Sequence, residues 1–202
     1  MIYTLTANPA IDYNVSCDHL DANTVTRTRD AVYSPNGKGL NVSFTLDHCN
    51  VPTTILGFFA GFSGRFIVEG ARERGVEVKP IWTEGITRVN VFLNAGEGVE
   101  YNMVNAGAAI TPADEDAMVD LISSLADLDC LVISGSLPPN TSNGFLRRVL
   151  ETVRAKGSRF VLDISSTRLI DLLELEPLLI KPNGRRASRH LGWTCDSVTI
   201  PL

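Results

Sequence analysis

Cysteine, histidine and excess charge are all sparse in this 202-residue chain, and each scarcity excludes something. The four cysteines, Cys17, Cys49, Cys130 and Cys195, stand far apart and form no C-x-x-C pair, and the three histidines are equally scattered. That spacing fits reduced thiols and speaks against a disulfide framework or a zinc cage. A net charge of −5 argues against nucleic acid or an anionic membrane as the main partner. No apolar run approaches the ~18 residues of a membrane span. The N-terminus enters Ile2-Tyr3-Thr4-Leu5-Thr6 with no basic region ahead of an apolar stretch, so a cytoplasmic chain with no signal peptide is expected. Internal repeats and low-complexity segments are lacking too. What is present, 44% hydrophobic and 20% charged residues, suits one large globular α/β domain.

The segment Ser34-Pro35-Asn36-Gly37-Lys38-Gly39-Leu40-Asn41-Val42 organises the rest. Glycines on either side of Lys38 let the backbone take φ > 0 and approach a ligand closely. The apolar positions Leu40, Val42, Phe44 and Leu46 predict a short helix starting near Asn41. A glycine turn feeding a helix N-terminus presents free N–H groups and a positive dipole end, which suits an anion or a polyhydroxy ligand. A Walker A loop is excluded, since no glycine stands five residues before Gly37 and Gly39 occupies the Ser/Thr position after the lysine.

Along the chain, residues 2–7 read as a buried strand ending at the turn Asn8-Pro9, with Asp12 just beyond. An acid there sits where ligands of α/β sheets bind, although an Asx turn would explain it as well. Residues 12–34 and 87–104 lack helical periodicity and predict β excursions that pair into a small lid sheet. In the second of these, Arg88 and Asn90 point to one face, where an arginine fork can hold phosphate or carboxylate. Residues 53–58 predict a core strand, 57–64 a glycine-dense loop, 65–74 a helix stopped by Gly75, and 76–81 a strand. Thr111-Pro112 opens an acidic first helical turn. The strand 129–133 runs into Ser134-Gly135-Ser136-Leu137-Pro138-Pro139, where two hydroxyls can line a polar site. A helix over 145–156, a strand over 159–162 closing on Asp163, and a strand over 178–180 complete the pattern. This alternation predicts a parallel α/β sheet with right-handed crossovers.

Six segments in order carry a resemblance over residues 1 to about 183. They are Thr4 to Asp12, Pro35 to Val42, Gly57 to Gly64, Thr87 to Asn90, Ser134 to Pro139, and Lys181-Pro182-Asn183. The chain resembles the ribokinase-like sugar kinases of the phosphofructokinase B family. It is nearest the branch holding 1-phosphofructokinase, tagatose-6-phosphate kinase and a bacterial 6-phosphofructokinase. The resemblance implies a three-layer α/β/α, mostly parallel sheet with a small β lid, and transfer of the γ-phosphoryl of ATP, with Mg²⁺, to a sugar phosphate. It also implies that Asp12, Gly37, Lys38, Gly39 and Asn41 hold sugar hydroxyls. Arg88 and Ser136, with Asn90 beside them, would hold the substrate's phosphate end, and Lys181 and Asn183 would lie toward the nucleotide. Fructose 1-phosphate is the expected substrate, tagatose 6-phosphate or fructose 6-phosphate the alternative. A homodimer through the lid is implied as well.

Three departures qualify the resemblance. The family's catalytic base belongs to a Gly-Ala-Gly-Asp motif that is not found in these 202 residues. Asn183-Gly184-Arg185-Arg186 puts an arginine where a glutamate helps organise the metal, and Asn36 stands where a glycine is usual. A partial kinase domain over 1–183 is therefore expected, lacking the C-terminal part of the fold, followed by an aberrant tail over 184–202 that departs from the family's reading frame. On this reading the chain is inactive as it stands. It would be a sugar-phosphate-binding fragment or pseudoenzyme, or a remnant with exposed edges.

Overall fold

The computed structural model describes residues 1–164 and 169–181. The main sheet has six parallel strands in the order β10-β9-β8-β1-β4-β5. The strands are β1 (Ile2–Thr6), β4 (Thr53–Phe59), β5 (Glu77–Trp82), β8 (Cys130–Gly135), β9 (Arg159–Ile164) and β10 (Leu179–Ile180). β1 and β4 are buried almost throughout, as expected for strands covered by helices on both faces. Among the described residues no helix is long and apolar enough to cross a membrane.

Helices α3 (Pro112–Ser124) and α4 (Phe145–Ala155) pack on one face. There Leu5, Leu131, Ile133, Phe160 and Leu162 join Met118, Ile122, Val149 and Val153 in the largest apolar cluster. Thr111 caps α3 by accepting from the Asp114 amide at 3.2 Å, and the Asp114 carboxylate accepts in return from the Thr111 amide at 2.8 Å. Helices α1 (Lys38–His48) and α2 (Gly61–Glu73) cover the other face, centred on Leu40, Ile55, Phe59, Ile67 and Val68.

The second sheet has four strands in the order β3-β2-β6-β7. β2 (Ala10–Ser16) pairs antiparallel with β3 (Arg29–Asn36) and parallel with β6 (Arg88–Asn94), which pairs antiparallel with β7 (Glu100–Met103). The register Ala10↔Arg88, Asp12↔Asn90 and Asn14↔Phe92 puts Asp12, Arg88 and Asn90 on one face. Ile11 and Val89, on the opposite face, pack against α2.

Two local expectations are corrected. The glycine-dense stretch 57–64 is not a loop, because β4 runs to Phe59 and α2 starts at Gly61. Gly61, at φ +60, turns the chain within one residue, and Thr87 pins that turn. The Thr87 hydroxyl accepts from the Ala60 amide at 2.8 Å, and its carbonyl accepts from Ser63 Oγ at 2.7 Å. Helix α1 begins at Lys38, three residues before its expected start, because Asn41 N–H already bonds the Gly37 carbonyl at 2.9 Å. Asn183, Arg185, Arg186 and the expected aberrant tail lie outside the described residues.

Candidate functional site

The C-terminal ends of β1, β8 and β9 meet the N-terminus of α1 and one face of the second sheet, and there the candidate residues gather. Close contact between β1 and α1 fixes the turn. A Cβ on Gly39 would stand 2.3 Å from Thr6 Oγ1 and 3.0 Å from the Leu5 carbonyl. One on Gly37 would stand 2.4 Å from Thr6 Cγ2, and its φ of +152 disfavours a side chain besides. Both glycines are thus explained by helix-on-strand packing, which in turn holds the α1 N-terminus over the strand ends. The sequence attributed them to a turn at positive φ and to close approach of a ligand.

Asp12 is the centre of a carboxamide network. Only 8% exposed, it accepts through Oδ1 from Asn90 Nδ2 at 2.9 Å and through Oδ2 from Asn36 Nδ2. Asn36 Oδ1 in turn accepts from Asn41 Nδ2 at 2.9 Å and from the Gly37 amide. Asn90 Oδ1 accepts from the Asn105 amide at 3.3 Å. Asp12 and Asn41, which the resemblance grouped at the sugar hydroxyls, and Asn90, which it set beside Arg88, therefore form one unit whose link is Asn36. The sequence marked Asn36 only as a departure from a usual glycine; its position two residues before Lys38 was the available signal.

Arg88 is committed to the main chain. Its guanidinium donates to the carbonyls of Asn8 at 3.0 Å, Asn105 at 3.2 Å and Pro9 at 3.4 Å, stapling the β1–β2 turn to the segment after β7. Burial lowers its pKa below the ordinary arginine range, with the nearby Asp12 charge acting the other way. Three of its five N–H donors are used in these bonds, so the fork is oriented but not exhausted.

Lys38, exposed at the turn, sends Nζ to within 3.5 Å of both Asp163 oxygens, and Lys181 Nζ lies 3.7 Å from the same carboxylate. These cations border an open cleft of about 420 Å³ lined also by Asn41, Val42 and Leu46. Ser136 is exposed just after Gly135, whose Cα faces the Lys38 side chain. Asp163 was not a candidate in the sequence, although an acid at the end of a core strand was the same signal that selected Asp12. As a metal centre the arrangement does not fit. Among the described residues no group of three or more His, Cys, Asp or Glu converges, and Asp163 faces two ammonium groups. Two cations on one cleft suit phosphate oxygens instead.

Comparison with known proteins bears on the family and the fold. Residues 2–193 match the family described as pfkB family carbohydrate kinase. The D-tagatose-1-phosphate kinase of Klebsiella oxytoca is 45% identical over 192 residues, which are 95% of this chain and 63% of that protein. The 1-phosphofructokinase of Bacillus subtilis is 34% identical over 198 residues, 98% of this chain and 65% of the relative. The crystal structure of phosphofructokinase-2 from Escherichia coli in complex with substrates and products superposes with a TM-score of 0.89 at 26% identity. That match covers 98% of this chain and 65% of the other. The chain thus spans less than two thirds of the length of these relatives.

Proposed function

The chain belongs to the pfkB family of carbohydrate kinases, and from that premise we propose that its residues form the sugar-phosphate half of a site for ATP-dependent phosphoryl transfer to a ketohexose phosphate. The observation that carries this reading is the Asp12–Asn36–Asn41–Asn90 network, a buried carboxylate held by carboxamides at the mouth of a helix N-terminus. Such a group offers fixed acceptors and donors to sugar hydroxyls, as a polyol site requires. Fructose 1-phosphate is the first candidate, and the name of the Klebsiella relative sets tagatose 1-phosphate beside the 6-phosphates as an alternative.

In the reaction the sugar hydroxyl oxygen attacks the γ-phosphorus of ATP. The bond to the bridging oxygen breaks, ADP leaves with that electron pair, and the hydroxyl proton passes to a base. The contribution of these residues is positioning and charge stabilisation. Asp12 and Asn41 orient the sugar, and Ser136 with the unused part of the Arg88 fork faces its phosphate. Lys38, which the resemblance gave to the sugar hydroxyls, shares Asp163 with Lys181, and both are taken here to face the phosphates of ATP, the side to which the resemblance also gives Asn183. Mg²⁺ would shield those phosphates when bound, but the cleft bordered by Lys38 and Lys181 is lined by one carboxylate among the described residues, Asp163, and no step here is assigned to the metal. The family's Gly-Ala-Gly-Asp base is not among the 202 residues, so binding without turnover is expected.

The same proposal takes residues 1–183 as one partial kinase domain, in the cytoplasm, with the four-stranded sheet as its lid. Exposed Val32, Tyr33 and Met103 on that sheet favour a homodimer through it. The test is thermal unfolding of the 202-residue chain with fructose 1-phosphate, tagatose 1-phosphate, fructose 6-phosphate or Mg-ATP. A bound ligand raises the midpoint by mass action. A rise with a ketohexose phosphate that disappears in Asp12→Ala is expected; no rise with any sugar phosphate overturns the reading. Formation of ADP dependent on the sugar phosphate would overturn the expected inactivity.

A further inference from the structure

We propose that Asn36 is a specificity-determining residue, reading the orientation of a sugar hydroxyl at the Asp12 end of the site. The inference rests on the function proposed above and goes beyond it to the choice between epimeric substrates. Asn36 closes β3 opposite Ala10, two register steps from the Ser34↔Asp12 pair, so its side chain lies on the Asp12 face. Its carboxamide is almost fully used. Oδ1 accepts from Gly37 N–H and Asn41 Nδ2, and Nδ2 gives one hydrogen to Asp12 Oδ2. Flipping the amide would set its oxygen against the Asp12 carboxylate and its NH₂ against the Gly37 N–H, so one orientation is enforced.

A single uncommitted N–H therefore remains on Asn36, whose carboxamide bridges Asp12 and Asn41, two groups that the proposed function assigns to sugar hydroxyls. Such a donor discriminates by geometry, because a hydroxyl turned the other way leaves it unpaired. Fructose and tagatose 1-phosphates differ only in the configuration of one ring hydroxyl, at C4, and so form the natural test pair. A glycine at this position would remove the donor, free one Asp12 oxygen and release Asn41.

Calorimetric titration of the 202-residue chain with fructose 1-phosphate and tagatose 1-phosphate is the experiment, repeated on Asn36→Ala and Asn36→Gly. The wild-type dissociation constants should differ by about tenfold, and in both variants the ratio should fall to within about threefold of one. A purely structural role would weaken both sugars alike and leave the ratio unchanged, which overturns the inference while leaving the proposed function standing. A wild-type ratio near one overturns it likewise. Loss of the cooperative unfolding transition in both variants would mark Asn36 as structural and also overturn it. If the wild type binds neither sugar phosphate, the functional reading falls and this inference falls with it.

Discussion

The two halves of the main sheet differ in how they are closed. Around β1 and β4 both faces are buried, with α1 and α2 on one side and the Met118–Phe145 cluster on the other. Toward β9 and β10 the α3–α4 side remains packed through Phe160 and Leu162, but α1 packs on β8 and extends the Lys38 side chain to Asp163 on β9. On that side Leu179, paired with Val161, is 57% exposed, and the cleft bordered by Lys38 and Lys181 opens beside it. The same contrast runs through the candidate site. Its Asp12 end is bonded at hydrogen-bond distances, whereas the two ammonium groups stand 3.5 and 3.7 Å from Asp163. Closed packing sets geometry before a ligand arrives; the open end leaves charge available for one.

The largest effects should come from breaking that contrast with one chemical change made twice. Leu40 is fully buried on the sheet-facing side of α1, so Leu40→Ala removes apolar contacts and leaves a cavity. About 2–5 kcal/mol of unfolding free energy should be lost in urea denaturation. Leu179→Ala, at the open end, should stay within about 0.5 kcal/mol of wild type. Equal losses would mean that the open half is covered in solution. Next in size is Glu115→Ala. This carboxylate is 2% exposed and accepts from the Ser142 amide and hydroxyl, both at 2.6 Å, tying α3 to the start of α4. Its removal should cost about 1–3 kcal/mol in the same measurement.

The main sheet and the second sheet were unequally legible in the sequence. β-branched and apolar runs marked every core strand, and Thr111-Pro112 with Asp114 marked α3, because those signals are local. The parallel pairing of β2 with β6 joins residues far apart in sequence, and nothing local in either strand announces it. At the site, Asp12, Asn41 and Asn90 were visible as residue types, but their union through Asn36 was not. A carboxamide has no charge or motif of its own to announce that it bridges two neighbours. Arg88 shows the opposite limit: the sequence offered its fork to a ligand, and the fold commits much of it to carbonyls that only tertiary structure brings near.

A pH series sharpens the comparison at the closed half. Tyr3, buried on β1, donates its hydroxyl to Asp127 Oδ1 at 2.7 Å. Burial first, then that bond and the aspartate's charge, raise its pKa from 10.0 to about 12. The folded state therefore holds the phenolic proton more tightly than the unfolded state does. Its stabilisation is complete below pH 10 and is lost as pH rises toward 12. The melting temperature should decline through that window, and Tyr3→Phe should flatten the decline. A wild-type profile as flat as the variant's would sink the assignment.

The smallest expected effect separates two threonines on one strand. Thr4 and Thr6 point to the same face of β1, and both are buried. Thr4 Oγ1 meets Ser43 Oγ at 2.7 Å, and Ser43 meets Thr53 Oγ1 at 3.0 Å, so that hydroxyl belongs to a chain of partners. Thr6 lies beneath Gly39, which has no side chain to offer, and its hydroxyl has no partner among the described residues. Valine has nearly the same shape without the hydroxyl. Thr4→Val should therefore cost about 1 kcal/mol, whereas Thr6→Val should be neutral or slightly stabilising, because it removes a group that already lacks a hydrogen bond. Thermal melts of the two variants side by side decide the matter. A Thr6→Val loss as large as that of Thr4→Val would show that the tight seam between β1 and α1 holds a partner, such as a bound water, for that oxygen.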